Sequence, residues 1–340
     1  MSFTLSFDHL LRLSDGTGVL EHARGSTPRR ECGYCVDDVA RALVVISREA
    51  DPSPPLARLG ESCLAFLTHA QGADGRFHNR LSYDRRWEDE PGLDDCWGRA
   101  LWGLGTAAAR HRDPWVREDA ARAFAASARC RSGWQRAMAF AVLGAAEVLA
   151  VRPSDTAAQA LLADGAKMLG RPTAKAWPWP EARLSYANAL LPEALLCAGD
   201  ILGDEAVLND GLDLLGWLLE TETHDGHLSV TPVGGWGPGE ARPGFDQQPI
   251  EAATLADACA RAFRLTKDTR WSEGIVRAAD WFRGRNDAAT PMWDPATGGG
   301  FDGLEPNGRN ANQGAESTLA ALSTMQQAGW IAARAPALAR

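Results

Sequence analysis

The chain has 340 residues, 45% hydrophobic and 23% charged, an ordinary globular composition with enough apolar material for a large core. Acidic side chains outnumber basic ones 44 to 35, a formal charge of −9, which disfavours nonspecific attraction to nucleic acid or anionic membranes. No segment reaches the roughly 18–20 apolar residues of a membrane span; the longest, MAFAVLGAAEVLAV, contains Glu147. The opening MSFTLSFDHLLRLSDGTG lacks a basic stretch ahead of an apolar one and reads as no signal peptide. Seven scattered cysteines, an odd number, read as free thiols, so the expected location is cytoplasmic.

Apolar residues recur at helical spacing along almost the whole chain. In order, the pattern predicts helices over 34–49, 55–70, 93–111, 114–129, 132–150, 155–169, 184–202, 204–222, 248–266, 269–285 and 313–329. A twelfth is expected near 6–13 or near 330–338. Every second helix, beginning with the first, opens on a polar or acidic cluster and then turns apolar and small. The six openings read YCVDDVARALVV, LDDCWGRALWGLG, SGWQRAMAFAVLG, LSYANALLPEALL, DQQPIEAATLADA and NQGAESTLAAL. Asp38-x-x-Arg41-Ala-Leu and Asp95-x-x-x-Arg99-Ala-Leu are near copies. The helices between them are amphipathic, with one apolar face.

A helix that is apolar on most sides wants burial all round, and an amphipathic one wants a single covered face. Alternating the two predicts an all-α fold, an (α/α)6 toroid of about six helical hairpins spanning residues 1–340 as one domain. An open helical solenoid is the competing arrangement. The long connections, 71–92, 171–183, 223–247 and 286–312, all lead from an outer helix to an inner one. They therefore share one face with the acidic helix starts, and long ordered loops on one face point to function.

The acidic groups at that face are Asp37, Asp38, Asp94, Asp95, Glu251 and Glu316. Helix capping accounts for one carboxylate per helix. It accounts poorly for their gathering on inner helices, whose starts converge on one cavity. Carboxylates that share a cavity raise one another's pKa values, which suits one protonated acid beside one ionised base. A pair flanking a bond is the equipment of glycoside hydrolysis. The expected acid comes from Asp37/Asp38 or Asp94/Asp95, and the base is Glu251 or Glu316. Groups suited to sugar hydroxyls and ring faces are Arg41, His78, Trp97, Trp134, Gln135, Tyr186, Asn188, Trp236, Asp246, Gln247, Gln248, Asn312 and Gln313. Of the 13 tryptophans, Trp102, Trp217, Trp271 and Trp281 read as plugs between helices.

The motifs GYCVDDVARAL, LDDCWGRALWGLG and NQGAESTLAAL, with turns such as ADGRF between hairpins, make nearly the whole chain resemble the six-hairpin glycosidase superfamily. The resemblance implies an (α/α)6 barrel and activity on sugars, commonly hydrolysis with inversion. The expected function is thus an inverting glycoside hydrolase acting on an oligosaccharide, without metal or cofactor. The superfamily also holds sugar 2-epimerases and polysaccharide lyases, which typically use His or Tyr; here Tyr186 or His78 would carry the proton. A non-catalytic sugar-binding toroid is the non-enzyme alternative. A terpene-cyclase-like toroid fits worse, since Gly92 stands where the upstream Asp of a DxDD pattern belongs, and Asp37-Asp38-Val-Ala-Arg41 lacks the third Asp of DDxxD. Cys32-Gly-Tyr-Cys35 has metal spacing but no second pair. His224-Asp-Gly-His227 reads equally well as a turn. Nucleic-acid and membrane partners are not expected, and the sequence sets no oligomeric state.

Overall fold

The computed structural model describes residues 5–172 and 176–334. Its helices are α1 (Asp8–Arg12), α2 (Val36–Ser47), α3 (Pro54–Ala70), α4 (Asp95–Arg110), α5 (Pro114–Ser127), α6 (Gln135–Val151), α7 (Thr156–Met168), α8 (Leu190–Leu202), α9 (Glu205–Thr221), α10 (Pro249–Thr266), α11 (Thr269–Phe282) and α12 (Ala315–Ala332). The even-numbered helices each pack on the next, and α12 packs back on α2, so they form a closed inner ring. Helices α3, α5, α7, α9 and α11 each cover the inner helix before them, and α1 covers α12. The fold is a toroid of six hairpins, and the open solenoid is excluded by the α12–α2 contact.

Where helices start differs between the two rings. Asp155, Asp204 and Asp268 cap α7, α9 and α11, each accepting hydrogen bonds from backbone N–H groups of the first turn. Proline opens α3 and α5, where its missing N–H costs nothing. None of the six inner helices has a side-chain cap at its start. The acidic groups of the inner ring therefore do something other than capping.

Several expected boundaries move. The helix expected over 184–202 begins at Leu190, because 185–189 form a tight turn in which Ala187 has φ of 47° and Asn188 Oδ1 accepts from Ser185 N–H. The helix expected over 269–285 ends at Phe282, and that expected over 313–329 runs from Ala315 to Ala332. The twelfth helix is the amino-terminal one; of the alternative at 330–338, residues 330–332 finish α12 and 335–338 lie outside the described residues.

The small residues of the inner helices are explained by close backbone approach. A methyl group at Gly105 would lie 2.2 Å from the Gly144 carbonyl oxygen, and one at Gly98 would lie 2.2 Å from that of Ala137. Turns from inner to outer helices run from two residues (203–204, 267–268) to six (48–53). Loops 71–94, 169–172 with 176–189, 222–248 and 283–314 occupy the opposite face, braced by two-stranded ribbons such as Tyr34–Cys35 against Arg80–Leu81. No helix among the described residues is long and apolar enough to cross a membrane.

Gly105→Ala must push α4 and α6 apart. It should lower unfolding free energy by about 1–3 kcal/mol, the usual cost of overpacking, read as a lower denaturant midpoint; an unchanged midpoint would mean the two helices pack more loosely than described.

Candidate active site

At the long-loop face the starts of the inner helices converge on a cavity of about 270 Å³, walled by Glu21, His22, Cys35, Asp37, Asp38, Arg41, Arg80, Gln248, Asp302, Gly314, Glu316 and Ser317. Its centre is Arg41 on α2. One nitrogen donates to Asp38 Oδ1 at 2.7 Å, one turn back on the same helix, and another donates to Glu316 Oε2 at 2.5 Å on α12. Arg99 on α4 repeats the device, 3.1 Å from Asp37 and 3.5 Å from Asp95. Arg136 on α6 donates to Glu181 (2.6 Å) and to the Tyr186 carbonyl (2.6 Å). Tyr186, its ring 4.7 Å from the Arg136 guanidinium carbon, donates its hydroxyl to Asp95 Oδ2 at 2.8 Å. A polar belt thus runs round the mouth from α12 through α2 and α4 to the turn before α8.

The carboxyl groups in this belt are not equivalent. Asp38 is buried, and its pKa is pushed up to about 7: burial is the main cause, opposed by Arg41 and reinforced by Glu316, Glu21 and Asp37. Burial outweighs the attraction of Arg41, which is shared with Glu316, so the pKa rises despite the ion pair. Burial also works against ionisation of Asp37, but Arg99 and Arg41 outweigh it and hold its pKa below the usual carboxylate value. Glu316 is the accessible member, its side chain 43% exposed. A buried carboxyl group with a raised pKa and an accessible one therefore stand on two nitrogens of one guanidinium.

Glu251, expected as a base, is buried at 2% exposure and spends both oxygens on the turn before α8. Oε1 accepts from Ala187 N–H at 2.5 Å, and Oε2 accepts from Asn188 N–H at 3.1 Å and from Asn188 Nδ2 at 3.0 Å. Burial and the neighbouring Glu222 raise its pKa, against those donors. It holds the turn that presents Tyr186. Asp94 stands at the exposed start of α4 and, among the described residues, lines none of this cavity.

Of the expected sugar-contacting groups, Arg41 and Gln248 wall the cavity, and Tyr186 and Trp134 lie exposed on the same face, at 43% and 66%. Others do not. Trp97 is fully buried and is a plug after all. His78 stacks on Trp87 and bonds the Asp89 carbonyl, away from the cavity. Gln247 is buried between Trp281, Asp287 and the Gly244 carbonyl. Gln135 accepts from Gly170 N–H, Asn312 accepts from Gly25 N–H, and Gln313 is buried against Gly299, so these amides fix loops. Asn188 is committed to the Glu251 clamp. Trp236 belongs to an aromatic cluster with Trp177 and Trp217 and lies under Arg242. Asp246 is partly buried beside Gly303, with its pKa raised by burial and by Glu305.

Sequence reasoning missed Arg99 and Arg136 as site residues, although Arg99 stood in the quoted near-copy of the Arg41 motif. It also missed Glu21, His22, Arg80 and Asp302, which arrive on non-helical loops with no periodic signal. Trp102, taken as a plug, is partly exposed and with Phe140 (5.6 Å away) lines a narrow axial cavity of about 40 Å³ below Glu316.

Glu21, Cys35 and Asp38 bring two carboxylates and a thiol within 4.8 Å of one another. Guanidinium groups already hold both carboxylates, Arg80 on Glu21 and Arg41 on Asp38. The Cys35 thiol donates toward Asn79 Oδ1 at 3.3 Å, with its pKa raised well above normal by burial and the surrounding acids. Both carboxylates are thus engaged by guanidinium groups and the thiol by an amide oxygen.

No protein-family model and no curated protein matches the sequence. Solved structures do match in fold. A sugar epimerase from a ruminal bacterium aligns at TM-score 0.71 and 13% identity, over 96% of this chain and 95% of its own. The chain has the six-hairpin glycosidase-like (α/α)6 fold. A D-mannose isomerase aligns at TM-score 0.68 and 10% identity, over 96% and 95%. A cellulase of C. cellulolyticum in complex with cellobiose aligns at 0.64 and 8%, over 92% and 88%. At such identities the likeness carries the fold, and the chemistry rests on the residues described above.

Glu251→Ala orphans two backbone N–H groups and the Asn188 amide, each costing about 1–3 kcal/mol when buried without a partner. Glu316→Gln removes half-exposed charge and should cost under about 1 kcal/mol. Chemical denaturation of the two variants checks the contrast; equal losses would place Glu251 outside the clamp.

Proposed function

We propose that the protein is a carbohydrate-active enzyme working by general acid–base catalysis, with Asp38 as the protonated acid and Glu316 as the base. The observation that carries this reading is the shared Arg41: it holds a buried carboxyl whose pKa is about 7 beside an accessible carboxylate. Two carboxyl groups pushed apart in pKa are how one site holds both an acid and a base near neutrality. The sugar substrate is supported by the epimerase, isomerase and cellulase that share the fold.

Isomerisation or epimerisation of a sugar is the reaction favoured by those fold neighbours and by the size of the cavity. At about 270 Å³ it has room for little beyond one sugar unit. Aldose–ketose isomerisation asks for one base that takes a proton from C2 and returns it to C1, with an acid at the carbonyl oxygen. One accessible carboxylate and one neutral carboxylic acid meet that demand. Epimerisation further needs a proton donor on the opposite face of C2; Tyr186, exposed on the same face of the barrel but outside the cavity wall and bonded to Asp95, is the candidate hydroxyl. Hydrolysis is the second reading, favoured by the pairing of two carboxyl groups with no histidine between them. There Asp38 would protonate the leaving oxygen and Glu316 would activate water.

Incubating the protein with free sugars and oligosaccharides in deuterated water separates these reactions. Deuterium appearing at C1 or C2 of a free sugar marks isomerisation or epimerisation, and release of a new reducing end marks hydrolysis. Asp38→Asn and Glu316→Gln should each lower turnover by about 10²–10⁴-fold, the usual worth of a positioned acid or base. Since the acid works protonated, kcat/KM should fall as pH rises through about 7, the value to which Asp38 is raised, and that limb should be absent in Asp38→Asn. Near-wild-type turnover in both variants would refute the assignment.

A further inference from the structure

The acid–base reading leaves the substrate's own charge open, and the cavity wall bears on it. Five carboxyl groups line it: Glu21, Asp37, Asp38, Asp302 and Glu316. Two guanidinium groups face them, Arg41 and Arg80, with the His22 imidazole 3.7 Å from Glu21 and Arg99 close behind Asp37. All three cations are committed to the protein's own carboxylates: Arg41 to Asp38 and Glu316, Arg80 to Glu21, and Arg99 to Asp37 and Asp95.

We propose that this cavity takes an uncharged sugar unit and turns away uronic acids and sugar phosphates; this rests on the site being the sugar site argued above. A carboxylate or phosphate on the substrate needs a guanidinium fork or an ammonium to receive it. Arg41 and Arg99 could receive it only by leaving existing pairs and stranding a partly buried carboxylate, which is costly, and Arg80, half-exposed at the rim, already shares its charge with Glu21. The anion would also enter a wall where, with Asp38 protonated, the four other acids still outnumber the two guanidinium groups, and like charges repel.

The acceptors that remain suit hydroxyl groups instead. Glu316 is 43% exposed and uses one oxygen on Arg41, leaving the other for a donor. Asp302 accepts from Gly314 N–H through Oδ1 at 2.8 Å, and among the described residues its Oδ2 has no hydrogen-bond partner. The Gln248 amide at the start of α10 offers a donor and an acceptor beside them. Neutral sugars present hydroxyl groups that donate to such oxygens without adding charge. The same wall argues against a lyase. Eliminating across a uronate calls for a cation free to neutralise the sugar's carboxylate, and each arginine here is already paired.

The test is equilibrium binding, by calorimetry, of matched sets in which a neutral sugar, its uronic acid and its 6-phosphate differ only at C6, measured at low salt. The neutral member of a binding set should bind at least tenfold more tightly than either acid. Asp302→Asn, which keeps the acceptor for Gly314, should narrow the gap several-fold by removing one wall charge. An acid that binds as tightly as its neutral parent overturns the proposal and leaves the acid–base reading standing. If no sugar of any set binds, both fall.

Discussion

One guanidinium joins the first inner helix to the last. Arg41 belongs to α2 and reaches Glu316 on α12, which closes the ring at its open end. The other end of the same seam is closed by Arg48 of the α2 C-terminus, which meets Asp257 and Ser323, and by Gln326, which donates to the Val45 carbonyl. Between these polar ends lie Val45, Leu319 and Ala320. The seam brings together residues about as far apart in the chain as they can be, so the contacts that hold it must offset a large chain-ordering cost. Placing a charged group there also sets the chemistry of the mouth, because Arg41 divides its charge between Asp38 and Glu316.

The two rings use acid in opposite ways. On the outer helices α7, α9 and α11, aspartates satisfy backbone N–H groups and serve local structure. On the inner helices Asp37, Asp38, Asp95 and Glu316 turn from the backbone to arginines on their own and neighbouring helices. Where both partners are largely buried, as in Asp38 with Arg41 and Asp37 with Arg99, an ion pair adds little net stability, since desolvation opposes the Coulomb gain, but removing one partner is expensive. Such a network resists rearrangement, which holds the Asp38 and Glu316 carboxyl groups on fixed sides of Arg41. Glu251 is the exception, a buried acid that clamps backbone N–H groups of the turn before α8, where Ala187 holds a left-handed conformation.

Much of the architecture was legible in the sequence because period and composition act everywhere along a helix. The alternation of helices that are apolar all round with amphipathic ones gave away the two rings, and the loop lengths gave away the open face. Asp37, Asp38, Arg41 and Glu316 were legible as a cluster because their positions at helix starts repeat. What was not legible was direction. A tryptophan at a helix start can point to the core, as Trp97 does, or to solvent, as Trp134 does, and nothing local distinguishes them. Gln135, Gln247 and Asn312 were read as pocket amides, yet their partners are loop backbone or side chains fixed by tertiary contacts. Glu251 and Glu316 share a spacing from a preceding glutamine and have opposite fates, one buried on N–H donors and one half-exposed. The wall residues Glu21, His22 and Asp302 depend on long-range pairings such as Tyr34 with Leu81, which no periodicity announces.

The division of one arginine between two acids is best tested on the proton it is said to retain. Carbon-13 NMR of labelled aspartate carboxyl groups, titrated in wild type and in Glu316→Gln, reads the Asp38 pKa directly. Wild-type Asp38 should titrate near 7, and its pKa should fall in the variant, where Arg41 serves Asp38 alone. An Asp38 that titrates at an ordinary carboxylate value, or does not respond to the loss of the Glu316 charge, would contradict the account.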